Sequence, residues 1–272
     1  IVQLGLFRIV ILRPPLTDGW EITAVRQVKQ LNIDDYALSE KLLQRIEKQA
    51  EGILISGAPG QGKSTFAQAL AVFYSKKGKI VKTVEAPRDL VLPDDITQLS
   101  ISRGTAEEIH DILLLSRPDY TIFDEMRNTK DFLLYSDLRL AGVGLVGVVH
   151  GTNPIDSIQR FIGRIELGVI PHILDTVIFI KGGKVFSVLS VEMRVKVPAG
   201  MTEADLARPV VVVSDFETGK LFAEIYSYGE ETVVIPVKEA SSSYSPVFRM
   251  AQEKVEQEFK KQVSQALSLI HI

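Results

Sequence analysis

Short runs of apolar residues alternate with amphipathic segments through the middle of this chain, beginning at Ile53. The runs ILIS, IVKTVE, YTIFD and GLVGVV are short and rich in valine and isoleucine. Segments with helical periodicity stand between them, including TAEEIHDILLLSR, in which Thr105 and Glu108 have the spacing of a capping box. Apolar strands that alternate with helices are typical of a parallel sheet buried on both faces. The pattern therefore predicts an α/β fold.

The pattern changes on both sides of this region. The segment before residue 36 predicts strands interrupted by RPPLTDG, and YALSEKLLQRIEKQAEG predicts a helix that ends near Gly52. After Pro171, TVIFIKGGKVFSVLSVEMRVKV predicts a hairpin that turns at Gly182 and Gly183, followed by a β meander. These changes predict a small N-terminal α/β subdomain with a linker helix (1–50), a core (51–172), a β-rich extension (173–240) and a C-terminal linker helix (241–272).

Composition narrows the class of protein only slightly. The 272 residues are 46% hydrophobic, enough for one large or two modest domains, and the net charge of −3 provides no overall attraction to nucleic acid. The chain has no cysteine, which excludes disulfides and thiolate chemistry and is typical of cytoplasmic proteins. Its longest apolar run is about half of the roughly 20 residues in a membrane-spanning helix, so we expect no membrane insertion. Because residue 1 is not a methionine, we expect a piece of a longer protein.

The segment GAPGQGKST matches the phosphate-binding pattern G-x-x-x-x-G-K-[ST] and stands between a predicted strand and a predicted helix. In such a P-loop, glycines let backbone N–H groups surround phosphates at a helix N-terminus. Lys63 is expected to contact the β- and γ-phosphates, and the Ser64 hydroxyl to bind Mg²⁺. The predicted nucleotide-binding residues are Gly57, Ala58, Pro59, Gly60, Gln61, Gly62, Lys63, Ser64 and Thr65.

Two adjacent carboxylates follow the apolar part of YTIFDEMRN: Asp124, at the end of the predicted strand, and Glu125, directly after it. Alone, such a pair would be typical of a solvated loop. We expect the strand that ends at Asp124 to lie beside the P-loop strand, where one carboxylate orients the metal ion and the next polarises the attacking water. Asp124 is therefore predicted to bind Mg²⁺ together with Ser64, and Glu125 is predicted to be catalytic.

Two further polar residues, Glu85 and His150, also end predicted strands. Ligands of open α/β sheets bind beyond the carboxyl ends of the strands, so both residues are predicted to face the nucleotide. Glu85 would support the metal or the water, and His150 would hydrogen-bond the γ-phosphate. The alternatives are a capping acid and a structural histidine.

The segments GAPGQGKST, TVEAP, DEMRN and GVVHGTN resemble, in order and spacing, the Walker A, Asp-box, Walker B and His-box motifs of the PilT-like ATPases of type II and type IV secretion systems. The resemblance implies a RecA-like P-loop NTPase core, ATP as the nucleotide and a homo-hexameric ring. It also implies catalytic arginines from the N-terminal subdomain, for which Arg13 and Arg26 are the candidates. The alternative for each arginine is a surface position on an edge strand.

The chain departs from the secretion members at Asp124, where they usually have glycine, and at TVEAP, where their Asp box commonly contains EDP. Its β-rich segment after the His box is a further departure. Together these features are most similar to an archaeal subgroup in which a PIN domain precedes the ATPase and a KH domain follows it. That similarity implies flanking PIN and KH domains outside this chain.

The same resemblance implies a motor that acts on DNA, with branch migration or unwinding of four-way Holliday junctions in recombination and repair as the first hypothesis. The alternatives are a pilus, archaellum or secretion assembly motor at a membrane and an ATPase that regulates an attached nuclease. For the KGGK turn, ordinary turn chemistry is preferred over DNA binding. The candidate DNA contacts are Arg127, Lys130, Lys181 and Lys184.

Overall fold

A computed structural model describes residues 2–4, 7–26, 31–86, 90–198, 207–228 and 231–236. The strands in this part of the chain are β1 (Val2–Leu4), β2 (Phe7–Leu12), β3 (Glu21–Arg26), β4 (Gly52–Gly57), β5 (Val81–Glu85), β6 (Thr97–Ser100), β7 (Tyr120–Asp124), β8 (Gly144–His150), β9 (Thr176–Lys181), β10 (Lys184–Lys196), β11 (Arg208–Asp215), β12 (Leu221–Tyr228) and β13 (Glu231–Pro236). The helices are α1 (Glu40–Lys48), α2 (Lys63–Lys76), α3 (Ala106–Ser116), α4 (Thr129–Leu140), α5 (Pro154–Gln159) and α6 (Ile170–Ile173), with a 3₁₀ helix at Ile33–Tyr36.

Ten strands form one sheet in the order β13-β12-β11-β10-β9-β4-β8-β7-β5-β6. From β9 to β6 neighbouring strands are parallel, whereas β10 to β13 continue the sheet as an antiparallel meander. The predicted α/β fold with a β-rich extension is confirmed. The extension shares the sheet of the core, because β9 pairs directly with β4, the strand before the P-loop.

The central parallel strands β4, β7 and β8 are buried along almost their whole length because helices cover both faces of the sheet. In β4, Leu54 packs with α3 to α6 on one face, while Ile53 and Ile55 pack with α1 and α2 on the other. All three side chains are fully buried. The capping box predicted at Thr105 and Glu108 is confirmed at the start of α3. This packing fixes the carboxyl edge of the sheet, where the P-loop, Glu85, Asp124, Glu125 and His150 lie.

The strand that ends at Asp124 does not lie beside the P-loop strand. Strand β8, which ends at His150, lies between β4 and β7. The expected adjacency was therefore wrong. Its physical cause is that β7 and β8 are both buried on both faces, so either would fit beside β4 as far as their apolar patterns are concerned.

The described N-terminal residues form a separate three-stranded antiparallel sheet, β1-β2-β3, followed by the 3₁₀ helix and α1. Several apolar side chains of this sheet are exposed to solvent: Val2, Leu4, Phe7, Ile11 and Ile22. Contiguous exposed apolar surface is typical of an interaction site. The helix predicted for 241–272 lies outside the described residues, and the boundaries of the four parts remain predictions. Among the helices of the described ranges, none has both the length and the apolar character needed to cross a bilayer.

Candidate active site

The P-loop joins the end of β4 to the start of α2. Gly60 and Gly62 have φ angles of 74° and 91°, which lie in the left-handed region where a side chain would be strained. Gly62 is the N-cap of α2. The first N–H groups of a helix have no acceptor within the helix, so this geometry leaves donors at the N-terminus of α2 for an anionic ligand.

Lys63, the first residue of α2, reaches back across this loop. Its Nζ donates a hydrogen bond to the Ala58 carbonyl oxygen at 2.9 Å, and the side chain is largely buried. Burial lowers the pKa of Lys63, while the charges of Glu125 and Asp124 act in the opposite direction. The lysine, the loop and both predicted acids therefore belong to one electrostatic site.

Ser64 and Asp124, the two residues predicted to bind Mg²⁺, are in direct contact. The Ser64 hydroxyl donates to Asp124 Oδ1 at 2.8 Å, and Asp124 is mostly buried at the end of β7. Mg²⁺ prefers oxygen ligands and usually keeps several waters, taking only one or two protein ligands beside the phosphates of a substrate. A hydroxyl and a carboxylate at a helix N-terminus fit that requirement.

Glu125 lies at the centre of a second polar group. Its Oε1 is 2.8 Å from His150 Nε2, and its Oε2 accepts a hydrogen bond from Arg127. Glu125 has a φ of 69°, unusual for a non-glycine residue, and the next N–H, that of Met126, donates to the Val148 carbonyl at 2.8 Å. The glutamate side chain therefore points toward the end of β8, at the same edge of the sheet where β4 ends and the P-loop begins.

The environment keeps Glu125 ionised at neutral pH. Burial alone raises the pKa of its carboxyl group, but the hydrogen bonds and charges of Arg127 and His150 outweigh burial, and the net effect is a lower pKa. An ionised carboxylate is what a group that polarises water requires. His150 was predicted to face a γ-phosphate. It pairs in register with Gly57, the first residue of the P-loop motif, and contacts Glu125.

Arg160 was not among the predicted site residues, yet it supports the His150 segment. Its Nη1 donates to the His150 carbonyl oxygen at 3.1 Å, and its guanidinium lies 5.8 Å from the centre of the Phe132 ring. Its position just after the helix that follows the His box was the one available signal in the sequence. No sequence motif marks an arginine at that position as a site residue, so only its contact with the His150 carbonyl identifies its role.

Glu85 is placed at the carboxyl edge of the sheet, where it pairs in register with Asp124, but its side chain is fully buried. It accepts hydrogen bonds from the Leu90 N–H at 3.0 Å, from the Gln98 amide at 2.9 Å and from the Thr83 hydroxyl. These contacts tie Leu90 and β6 to the end of β5. Glu85 therefore has a structural role. Its support of the metal or of the attacking water remains a prediction.

We expect Glu85→Gln to lower the free energy of unfolding by about 1–3 kcal/mol, because an NH₂ group would face hydrogen-bond donors that now share a carboxylate. Urea denaturation without nucleotide measures this loss. The exposed Glu166 provides the matched control, and Glu166→Gln should leave stability unchanged. Normal stability combined with lost catalysis would contradict the anchoring role and favour a direct role of Glu85 in the reaction.

Arg13 and Arg26 belong to the N-terminal sheet and not to the sheet that provides the P-loop. Arg13 is exposed and follows β2, and its carbonyl oxygen accepts from the Leu16 N–H at 3.1 Å. Arg26 is the last residue of β3. The predicted contact of these arginines with a phosphate, in the ring that the resemblance implies, stays a prediction.

Two curated archaeal proteins are similar to nearly the whole chain, whereas no family model matches it. A KH and PIN-domain containing protein of Methanocaldococcus jannaschii is 56% identical over 261 residues, covering 96% of this chain and 41% of that protein. The Holliday junction branch migration ATPase PINA of Sulfolobus acidocaldarius is 59% identical over 238 residues, covering 88% of this chain and 47% of that protein. The chain therefore spans less than half the length of these relatives.

Solved structures show the same fold at much lower sequence identity. The ATPase DotB of Legionella pneumophila matches with a TM-score of 0.51 and 16% identity, over 78% of this chain and 63% of that chain. The pilus retraction motor PilT with bound ADP matches with a TM-score of 0.51 and 17% identity, over 97% of this chain and 68% of that chain. Over nearly its whole length the chain is therefore similar to a part of each of these two archaeal proteins, and its fold is that of the ATPases DotB and PilT.

Proposed function

We propose that this chain is the ATP-hydrolysing motor segment of a protein that remodels DNA. The single observation that supports it most is the contact between Ser64 and Asp124 beside the pair formed by Glu125 and His150. Phosphoryl transfer needs little covalent chemistry from a protein and depends on positioning and on charge stabilisation. A phosphate loop, two oxygen ligands for a cation and an ionised carboxylate supply both.

Each residue of the site has a separate role in the proposed hydrolysis of ATP. Lys63 exchanges the Ala58 carbonyl for the β- and γ-phosphates of ATP, and the N–H groups at the start of α2 hold the phosphate oxygens. Ser64 and Asp124 hold Mg²⁺, which neutralises developing phosphate charge when it is bound. Glu125 orients and polarises the attacking water, and His150 holds that carboxylate in position at Nε2.

The DNA part of the proposal comes from the Sulfolobus relative, which is named a Holliday junction branch migration ATPase. We propose that the whole protein acts in the cytoplasm on four-way DNA junctions as a homo-hexamer with PIN and KH domains. The exposed apolar side chains of the N-terminal sheet support such an assembly, because a neighbouring subunit would remove them from water. In that ring, Arg13 and Arg26 would approach a neighbour's nucleotide.

ATP hydrolysis by the full-length protein should rise with DNA, and most strongly with a four-way junction. We expect the stimulation to fade as salt is raised from about 50 to 200 mM, because contacts with phosphates release counterions. Phosphate release is measured without DNA, with linear duplex and with a junction. Hydrolysis that ignores all DNA would contradict the DNA part and favour the membrane-assembly alternative. Absence of hydrolysis under every condition would contradict the ATPase itself.

A further inference from the structure

The turn between β9 and β10 is bonded to the P-loop through one residue, Gln61. Gly182 and Gly183 form this turn, with Lys181 paired to Lys184. The Gly182 N–H donates to the Gln61 side-chain oxygen at 2.6 Å, and the Gly183 N–H donates to the Gln61 backbone oxygen at 3.1 Å. Both glycines of the hairpin turn therefore use Gln61 as their acceptor.

Two glycines of the P-loop motif also make room for this hairpin. A Cβ atom on Gly57 would lie 2.3 Å from the Ile180 carbonyl oxygen, closer than any real contact allows. A Cβ atom on Gly62 would lie 3.3 Å from the Gly183 Cα, and Gly62 also has a φ of 91°. The P-loop thus packs backbone against backbone on β9 and its turn, which is a reason for glycine separate from phosphate binding.

The contacts of Ala58 connect the packing of the P-loop against the β9–β10 turn with the lysine that is proposed to bind the nucleotide. The Ala58 carbonyl oxygen accepts from Lys63 Nζ at 2.9 Å and from the Gln61 N–H at 3.3 Å. When Lys63 turns to a phosphate, Ala58 loses one of its two donors, and the Gln61 segment is the part of the loop that still holds it. A change at the lysine therefore reaches the residue that holds the hairpin.

We propose that Gln61 is a positioning residue that fixes the P-loop against the β9–β10 turn and transmits nucleotide occupancy to that hairpin. The motif itself gives position 61 no function, since it is one of the four variable positions between the glycines. The inference rests on the proposed function, because it requires a nucleotide at the P-loop. Strand β10, the longest strand of the extension, continues from the turn to Lys196, so a change in the turn on nucleotide binding would act on this strand.

Amide hydrogen exchange of the full-length protein, with and without a non-hydrolysable ATP analogue, tests this proposal. In the unaltered protein, the analogue should protect both the P-loop amides and Gly182. Gln61→Met removes the acceptor at similar size, so Gly182 should exchange about 2- to 10-fold faster and lose its response, while the P-loop remains protected. Gln61→Glu keeps an acceptor oxygen at the same reach and should restore protection of Gly182. The exposed Gln49 provides the control variant, Gln49→Met.

Kinetics separate positioning from a general loss of structure. Gln61→Met should raise KM for ATP by about 2- to 10-fold and leave kcat within about twofold, since the residue holds the loop but not the reacting atoms. The inference would be overturned if the analogue did not slow Gly182 exchange in the unaltered protein, or slowed it equally in Gln61→Met. Protection of the P-loop amides in the same experiment would still support the nucleotide site. An analogue that does not protect the P-loop of the unaltered protein would overturn the proposed function, and the inference with it.

Discussion

Glu125→Gln should reduce ATP hydrolysis by about 10²- to 10⁴-fold while ATP binding stays within about threefold of the unaltered protein. The glutamine keeps the size of the side chain and an oxygen for its neighbours, but it loses the negative charge that polarises water. That charge is held by the hydrogen bonds from Arg127 and His150, which lower the pKa of the carboxyl group. Single-turnover phosphate release and equilibrium titration with ATP measure the two effects separately.

Glu107, exposed in the first turn of α3, provides a control of the same chemistry. Glu107→Gln should hydrolyse ATP at the normal rate. If Glu125→Gln also hydrolysed ATP normally, the carboxylate that acts on the water would have to be another one. A variant that neither binds nor hydrolyses ATP would instead show that Glu125 maintains the site, because loss of binding is not expected from the lost charge alone.

Lys63→Ala should weaken ATP binding by about 10- to 100-fold, which corresponds to the loss of a hydrogen bond between charged groups. The Lys63 ammonium donates to the Ala58 carbonyl oxygen, from which a phosphate can displace it. The alanine retains the helix, since alanine is the best helix former. Titration with ATP and Mg²⁺ gives the dissociation constant directly.

The same helix supplies the control for this experiment. Lys76, in the last turn of α2, is exposed and contacts Asn32 Oδ1 at 3.3 Å. Lys76→Ala should leave the dissociation constant unchanged. An equal loss of affinity in both variants would point to the overall charge of the helix, and an unchanged affinity in Lys63→Ala would remove the lysine from the phosphate site.

Features of the site that depend on local sequence were predictable, because each needs only a few neighbouring residues. The P-loop requires glycines and a lysine at a fixed spacing, and Ser64 and Asp124, which were both predicted to bind Mg²⁺, are in contact between the start of α2 and the end of β7. The α/β alternation was likewise visible in the apolar runs. The resemblance of four segments to one family, together with the departures from its secretion members, then indicated the archaeal relatives.

Features that depend on the order of strands were not predictable from the pattern. Because the central strands are buried on both faces, their sequences are similarly apolar, and nothing local shows that β8 separates β4 from β7. Leu90 and Gln98, which both donate to Glu85, come from β6 and the segment before it, and Arg160 acts through a backbone carbonyl. Gln61 occupies a variable position of its motif. In each case the partner, and not the residue type, defines the role.

The pairing of β9 with β4 has a practical consequence for making shorter versions of this protein. A fragment that stops at residue 172 would lack β9 and leave one side of β4 without hydrogen-bonded neighbours, although that strand leads into the P-loop. An apolar strand with an open edge is a template for aggregation. The smallest fragment that keeps both sides of β4 paired must extend through Lys181, and one that also keeps the turn bonded to Gln61 must include β10.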